Sequence, residues 1–222
     1  MPLALVTGAA RDNSIAVGVV LLLREQGWDV ATNDFDGTVD YDADLADPAA
    51  PAALVTAVRR DRGPITALIL SHALDVETGV LDTSADAFDR HMAVNARASL
   101  MLIAAFAQQV PETGGAIVAL TSDATTGNLP YGASKGALDR IVISAARELA
   151  PSGISANVVN PGPVDTGWMT DDVRATLTAD QPAGRLGTPA DAARLVGFLA
   201  SPEGRWVSGQ LIHSDGAYSA RY

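Results

Sequence analysis

The chain of 222 residues contains no cysteine, which excludes disulfide bonds, thiolate catalysis and cysteine-ligated metals. Positive charge is scarce as well: 15 lysines and arginines stand against 26 aspartates and glutamates, giving a net charge of −11. Because so acidic a surface repels nucleic acid and anionic membranes, we expect neither as a partner. The acid-rich residues 34–44 do not predict a metal site, since Leu45 stands where a calcium loop requires its last glutamate.

Long apolar runs are also missing. The longest, such as residues 15–23, are well short of the roughly 20 residues that a membrane-spanning helix needs. The N-terminal segment has no basic residues ahead of its apolar run, so it does not predict a signal peptide. A cytoplasmic protein is therefore expected.

Lysine is almost absent, because Lys135 is the only one and every other basic residue is an arginine. It stands four residues after Tyr131, in the sequence YGASK. On a helix this spacing places both side chains on one face, about 5–6 Å apart at Cβ. A cation at that distance stabilises a phenolate, so we expect Lys135 to lower the pKa of Tyr131. The pair predicts a general acid/base; a surface helix pair with little energetic effect is the alternative.

Short apolar runs alternate with segments of helical periodicity along the whole chain. Strands are predicted at residues 3–8, 28–34, 65–73, 114–122, 155–162 and 209–216, and helices at 14–27, 51–63, 82–110 and 130–153. This alternation predicts an α/β fold: a Rossmann-type, doubly wound parallel sheet between two layers of helices. No linker or repeat interrupts the pattern, so residues 1–222 are predicted to form a single domain.

Residues 163–189 break this alternation. The region is rich in glycine, threonine and aspartate and follows the carboxyl end of a predicted strand, the edge of an open parallel sheet where ligands bind. A mobile substrate lid is predicted, with an ordinary surface insertion as the alternative. Trp168 and Met169 are candidates for contact with a substrate or for packing.

The loop after the first predicted strand, residues 7–16, lacks a complete glycine-rich motif. Gly8 is present, but Asn13, Ser14 and Ala16 stand where further glycines would be expected. A pyrophosphate would rest on backbone N–H groups at such a strand-to-helix turn. By itself this loop is weak evidence for a dinucleotide.

Eight short stretches, in order and at suitable intervals, resemble the short-chain dehydrogenase/reductase family over essentially the whole chain. They are TG (7–8), Asp34, DL (44–45), VNA (94–96), Ser122, YGASK (131–135), PGPVDT (161–166) and SGQLIHSDGAY (208–218). The resemblance implies an oxidoreductase that interconverts a ketone and a secondary alcohol with a nicotinamide cofactor. It also implies a homo-oligomer, a tetramer or a dimer, with the apolar faces of helices 82–110 and 130–150 as its seams.

The same resemblance assigns the catalytic roles. Tyr131 would donate its proton to the substrate carbonyl, and Lys135 would lower the pKa of Tyr131 and hold the nicotinamide ribose. Ser122 would hydrogen-bond to the substrate oxygen, and Asn95 would anchor a water that links Lys135 to solvent. Proton transfer by a positioned side chain is worth ~10²–10⁴ in rate.

The resemblance also implies a set of cofactor-binding residues besides Tyr131 and Lys135. They are Gly8, Arg11, Ser14, Ile15, Asp34, Asp44, Leu45, Ser71, His72, Ala73, Pro161, Gly162, Val164 and Thr166. A carboxylate at Asp34 would accept hydrogen bonds from the adenosine ribose and repel a 2′-phosphate, whereas Arg11 would attract that phosphate. We therefore favour NAD(H), with NADP(H) as the alternative. We expect His72 to be a structural hydrogen-bonding residue.

Two departures from the family pattern bear on the reaction. Ser122 and Tyr131 are closer in sequence than in typical members, so we expect a shortened loop and a wider substrate pocket there. Ser122 is the favoured hydroxyl, with Thr121, Thr125 or Thr126 as alternatives.

The glycine loop, residues 8–16, is similar to that of enoyl-acyl carrier protein reductases, a branch that places its tyrosine seven residues before the lysine. Here Asn128 occupies that position, so ketone reduction is favoured over enoyl-thioester reduction. A regulatory dinucleotide-binding protein without turnover is the remaining alternative.

Overall fold

The computed structural model describes residues 1–35, 38–124 and 127–220. Seven parallel strands form a sheet in the order β3-β2-β1-β4-β5-β6-β7. They are β1 (Leu3–Thr7), β2 (Asp29–Asp34), β3 (Tyr41–Asp42), β4 (Ala67–Leu70), β5 (Gly115–Leu120), β6 (Ile154–Asn160) and β7 (Leu211–His213). The sheet confirms the predicted doubly wound α/β class.

Helices cover both faces of this sheet. They are α1 (Ile15–Glu25), α2 (Ala50–Arg62), α3 (Ala85–His91), α4 (Ala98–Gln109), α5 (Leu129–Leu149), α6 (Asp171–Asp180) and α7 (Pro189–Ala200), with a π-helix (Met92–Arg97) between α3 and α4. Short 3₁₀ helices follow α5 (Ala150–Ser152) and α7 (Pro202–Gly204). None of the helices within the described ranges is long and apolar enough to cross a membrane.

The core is divided by the sheet into two layers. Alternate residues of β1 point to opposite faces: Leu3 and Leu5 pack against α2, α4 and α5, whereas Ala4 and Val6 pack against α1 and α7. Both faces are buried, so the central strands read as continuous apolar runs rather than as alternating ones. This explains why the sequence pattern predicted them so clearly.

Two helices were missed. α7 was not predicted, although its sequence carries a start signal: Thr188 and Asp191 form a capping box around Pro189 at the first helical position. α1 and α7 pack closely at Gly18. A Cβ added to this glycine would lie only 2.9 Å from Cβ of Pro189, so a larger residue would not fit there. α6 lies inside the region predicted as a lid.

The predicted helix at 82–110 is interrupted rather than continuous. It begins after Ser84, whose hydroxyl accepts a hydrogen bond from the Ala87 N–H (3.1 Å). The six-residue π-helix then separates α3 from α4. π-Helical turns are uncommon and are found mostly at functional sites, and this one contains Asn95.

Candidate functional site

The site lies where the strand order reverses direction, at the carboxyl ends of the neighbouring strands β1 and β4. Ligands bind at this position in open α/β sheets. Gly8 follows β1 with a φ of 76°, and a Cβ there would lie 2.7 Å from Cα of His72. Glycine is therefore required for the loops after β1 and β4 to approach one another.

The glycine loop leads into the start of α1. Ser14 caps that helix, since its hydroxyl accepts a hydrogen bond from the Val17 N–H (3.1 Å). The first N–H groups of a helix, here from Ile15 onward, have no partner within the helix and can bind a phosphate. Arg11 is exposed in the same loop.

The Asp34 carboxylate joins the end of β2 to the glycine loop. One oxygen accepts a hydrogen bond from the Ala10 N–H (3.0 Å), and the other accepts one from the Phe35 N–H (2.9 Å). The side chain is half-buried. A carboxylate is thus fixed beside the turn that would receive the adenosine half of a dinucleotide.

His72 is buried directly behind the glycine loop. Its Nδ1 lies 2.7 Å from the Thr7 hydroxyl, and its Nε2 lies 3.1 Å from the Val94 carbonyl. A carbonyl can only accept, so Nε2 carries the proton and Nδ1 accepts from Thr7. Burial, together with the charge of Lys135, lowers the pKa of His72 to about 3. These contacts are those of a neutral, structural histidine.

Asn95 connects the segment after β4 to α5. Its Oδ1 accepts a hydrogen bond from the Leu74 N–H (2.7 Å), and its Nδ2 donates to the Leu74 carbonyl (2.9 Å) and to the Ser134 hydroxyl (2.8 Å). The side chain is fully buried. Both hydrogens of the Asn95 amide are therefore donated to protein acceptors, and one of these acceptors, Ser134, directly precedes Lys135.

Tyr131 and Lys135 lie in the first turns of α5 and face the same side. Nζ of Lys135 is 5.7 Å from the centroid of the Tyr131 ring and donates a hydrogen bond to the Leu120 carbonyl (2.9 Å) at the end of β5. The lysine side chain is almost completely buried. Burial lowers its pKa to about 8, while the charges of Asp139 and Asp75 oppose that shift.

The pKa of Tyr131 differs from the sequence-based expectation. Burial, and to a smaller extent the charge of Asp75, raise it to about 12, while the Ser122 hydroxyl opposes the shift. The lowering by Lys135 that the sequence predicted is not found; the ammonium group of Lys135 is buried and donates a hydrogen bond to the Leu120 carbonyl. At neutral pH the phenol is therefore protonated, the form in which it can donate a proton.

Ser122 lies beside the Tyr131 phenol, where its hydroxyl acts on the pKa of that group. Its oxygen also accepts a hydrogen bond from the Ala124 N–H (3.2 Å). Thr121 is buried, and its hydroxyl acts on the Asp139 carboxylate instead. Thr125 and Thr126 fall outside the described residues.

The segment after β6 approaches the glycine loop. Nδ2 of Asn13 donates a hydrogen bond to the Asp165 carbonyl (3.3 Å). Nε of Arg174, in α6, lies 2.9 Å from the Asp165 carboxylate. Trp168 is exposed, whereas Met169 is buried and so serves packing.

The remaining predicted cofactor residues have varied surroundings. Leu45 is buried in the core, and the exposed Asp44 carboxylate accepts a hydrogen bond from the Ala46 N–H (2.8 Å). Val164 is buried and forms an isolated parallel bridge with Gly187. The half-buried or exposed members of the set are Ser71, Ala73, Pro161, Gly162 and Thr166.

Two polar residues near Tyr131 and Lys135 were given no role by sequence reasoning: Asp75 and Ser134. Ser134 was present in the quoted YGASK segment, and its position before Lys135 was the available signal. Asp75 carried no sequence signal, because its proximity to Tyr131 depends on how the chain turns after β4.

Two cavities lie away from Tyr131. One of about 710 Å³ is at the opposite, amino edge of the sheet, beside Trp28 and Phe198. The other, of about 400 Å³, is lined by residues that include Gln181, Arg185 and His213. Within the described parts of the chain, no cluster of three or more histidine or acidic side chains could hold a metal ion.

Comparisons with known proteins agree with this geometry. A family model described as enoyl-(acyl carrier protein) reductase matches residues 8–219. An uncharacterized oxidoreductase of Bacillus subtilis (strain 168) is 35% identical, over 97% of this chain and 96% of that protein.

Two solved structures are similar over nearly their whole length. A blue fluorescent protein from a metagenomic library, in complex with NADPH, is 29% identical with a TM-score of 0.91, covering 99% of this chain and 98% of that one. The angucycline C-6 ketoreductase LanV with bound NADP is 28% identical with a TM-score of 0.89, covering 97% of this chain and 94% of that one.

Proposed function

Because the chain belongs to the short-chain dehydrogenase/reductase family of oxidoreductases, we propose that it transfers a hydride between a nicotinamide dinucleotide and a ketone or secondary alcohol, with Tyr131 as general acid/base. The family predicted from the sequence motifs is confirmed. The single observation that carries the assignment of the reaction is the protonated, half-buried phenol of Tyr131, with Ser122 beside it and Lys135 on the same helix face.

Carbonyl reduction requires a hydride at carbon and a proton at oxygen. The bound dinucleotide would supply the hydride. Tyr131 donates its phenol proton to the oxygen as the alkoxide forms, and Ser122 donates a hydrogen bond to the same atom. A phenol with a pKa of about 12 holds its proton at neutral pH, which supports the reductive direction.

Lys135 and Asn95 act on the surroundings of Tyr131 rather than on the substrate. Lys135 places a positive charge on the side of the Tyr131 ring, and its bond to the Leu120 carbonyl holds it there. Asn95 fixes the Leu74 backbone against Ser134, so we assign it a positioning role. The Oδ1 of Asn95 accepts from Leu74 and retains a lone pair that could hold the water predicted from the family.

The residues at the carboxyl ends of β1 and β4, where the strand order reverses, fit a dinucleotide. Gly8, which has no side chain, begins the turn before the α1 N-terminus, and Asp34 is held beside that turn by the Ala10 N–H. The residues that would hold the cofactor are Gly8, Arg11, Ser14, Ile15, Asp34, Asp44, Ser71, His72, Ala73, Tyr131, Lys135, Pro161, Gly162, Val164 and Thr166, with Leu45 through its backbone. His72 would act through the loop it stabilises.

We propose NAD(H) as the preferred dinucleotide, on the strength of the Asp34 carboxylate. A 2′-phosphate placed near it would meet a like charge. Arg11 is exposed in the adjoining loop and favours NADP(H), and the two solved relatives hold NADPH or NADP. The preference must therefore be measured by comparing activity with NADH and with NADPH.

Replacing Asp34 with alanine is expected to raise the ratio of kcat/KM for NADPH to that for NADH by roughly tenfold, because the repelling charge is removed. Steady-state kinetics with both cofactors at one ketone concentration would measure it. Asp42→Ala, an exposed acid on β3 at the same end of the sheet, is the control for general charge effects. An unchanged ratio in Asp34→Ala would refute the NAD(H) preference.

The proposed reaction is tested by mixing the protein with NADH or NADPH and a panel of ketones, and following the loss of nicotinamide absorbance. We expect turnover with at least one ketone. An enoyl thioester belongs in the panel, since the description of the family model favours that chemistry. Reduction of the thioester alone would replace the ketone proposal, and cofactor binding without any turnover would indicate the regulatory alternative.

The wider organisation is part of the same proposal. We propose that residues 1–222 act as one dinucleotide-binding domain with residues 163–189 as its substrate lid. Exposed apolar side chains on α4, Leu100 and Met101, support the predicted assembly of a dimer or tetramer through this region. A cytoplasmic location is proposed with it.

A further inference from the structure

The segment that follows β4, residues 74–79, is fastened to the start of α5 at three points. Asn95, which contacts α5 through Ser134, holds both backbone groups of Leu74. The Asn128 side-chain amide donates a hydrogen bond to the Asp75 carboxylate. The Leu129 N–H donates to the Thr78 carbonyl (3.0 Å). This segment therefore forms a fixed wall next to the turn of α5 that carries Tyr131.

Asp75 brings a negative charge to that wall. It is exposed, and its hydrogen-bond partner Asn128 is uncharged. Among the described residues, Asp75 forms no ion pair within 4.0 Å. Its carboxylate is nevertheless close enough to act electrostatically on both Tyr131 and Lys135.

The other charged groups near the Tyr131 phenol do not neutralise the exposed negative charge of Asp75. Lys135 is buried on the inner side, where it is bonded to Leu120 and also feels Asp139 from the next turn of α5. His72 is neutral. A substrate whose carbonyl reaches Tyr131 would thus pass an exposed carboxylate, while the balancing ammonium group is covered.

We propose that Asp75 determines substrate charge: it discriminates against carbonyl compounds with an anionic group near the reacting carbon and favours those with a cationic group there. The inference rests on the proposed ketone reduction at Tyr131 and adds the substrate class. A like charge beside a carboxylate raises the free energy of the bound substrate, whereas an opposite charge lowers it.

The test uses three aryl ketones that differ only in one ring substituent: a carboxylate, a neutral carboxamide and a trimethylammonium group. For each, kcat/KM is divided by that of the carboxamide, so that general effects on folding or catalysis cancel. In the wild-type protein we expect the order trimethylammonium, carboxamide, carboxylate. Asp75→Asn keeps the shape and the acceptor for Asn128 but removes the charge.

In Asp75→Asn the normalised value for the carboxylate ketone is expected to rise roughly tenfold, and that for the trimethylammonium ketone to fall by a similar factor. Both changes should shrink at high salt, because the wall is exposed to solvent. Glu77→Gln removes an exposed acid two residues further along and should leave the wild-type ratios in place.

The outcomes separate this inference from the reaction on which it rests. If the carboxamide ketone is reduced but Asp75→Asn shows wild-type charge ratios, the role of Asp75 is overturned and the ketone reduction stands. If Glu77→Gln shifts the ratios as much as Asp75→Asn, the effect belongs to net charge and the role of Asp75 is again overturned. If the wild-type protein reduces none of the ketones, both proposals fall.

Discussion

Replacing Tyr131 with phenylalanine is expected to lower kcat/KM for ketone reduction by about 10²–10⁴, while the dinucleotide still binds through the other residues proposed to hold it. The phenol is the proton donor next to Ser122, and phenylalanine keeps the ring against Lys135 but has no proton to give. Steady-state kinetics gives the activity, and quenching of nicotinamide fluorescence gives the binding.

The control for this change is Tyr41→Phe. Tyr41 lies on β3, and its hydroxyl is 3.4 Å from the Asp61 carboxylate, away from α5. We expect its activity to match the wild type within about twofold, since exposed hydrogen bonds contribute little. Equal activity of Tyr131→Phe and Tyr41→Phe would remove Tyr131 from the chemistry.

The second large effect is expected from Lys135→Met, which should lower kcat/KM by about 10² or more and change how stability depends on pH. Methionine fills the buried space but lacks the charge beside the Tyr131 ring and the hydrogen bond to Leu120. Activity of Lys135→Met at the wild-type level would show that the ammonium group is not needed.

The stability effect follows from the lowered pKa of Lys135, about 8 in the folded chain against 10.5 as the ordinary value. Between these pH values the unfolded chain binds the proton and the folded chain does not, so the free energy of unfolding rises with pH. The penalty of burying the charge, about 3 kcal/mol, is present below pH 8 and relieved by about pH 10.5.

Urea unfolding of the wild-type protein and Lys135→Met, measured in parallel from pH 7 to pH 10.5, would detect this difference. The pH dependence of Tyr131, whose pKa is raised, runs the opposite way and only above its ordinary value of 10.0, and it is common to both proteins. Lys135→Arg is the matched cation that does not titrate in this range. Parallel stability curves for all three proteins would contradict the shifted pKa of Lys135.

Local sequence signals identified much of the architecture. Central strands such as β1, β4 and β5 are buried on both faces. Each therefore forms a continuous apolar run in the sequence and could be predicted without knowing which strands lie next to it. α7 escaped notice even though its capping box was present, and the interruption of the helix at 82–110 was not predicted. The π-helical turn contains Asn95, whose side chain bonds to Leu74, 21 residues earlier, and helical periodicity does not predict a contact at that separation.

By itself, the sequence determined the doubly wound class, the family and the placing of Tyr131 and Lys135 on one face of a helix. Helical spacing and strand burial depend on residues near one another in the chain, so they can be deduced from it. Only the tertiary structure decided the protonation of these groups. The pKa of Tyr131 is raised because the surrounding fold removes water and brings Asp75 beside it, and that environment is assembled from distant segments.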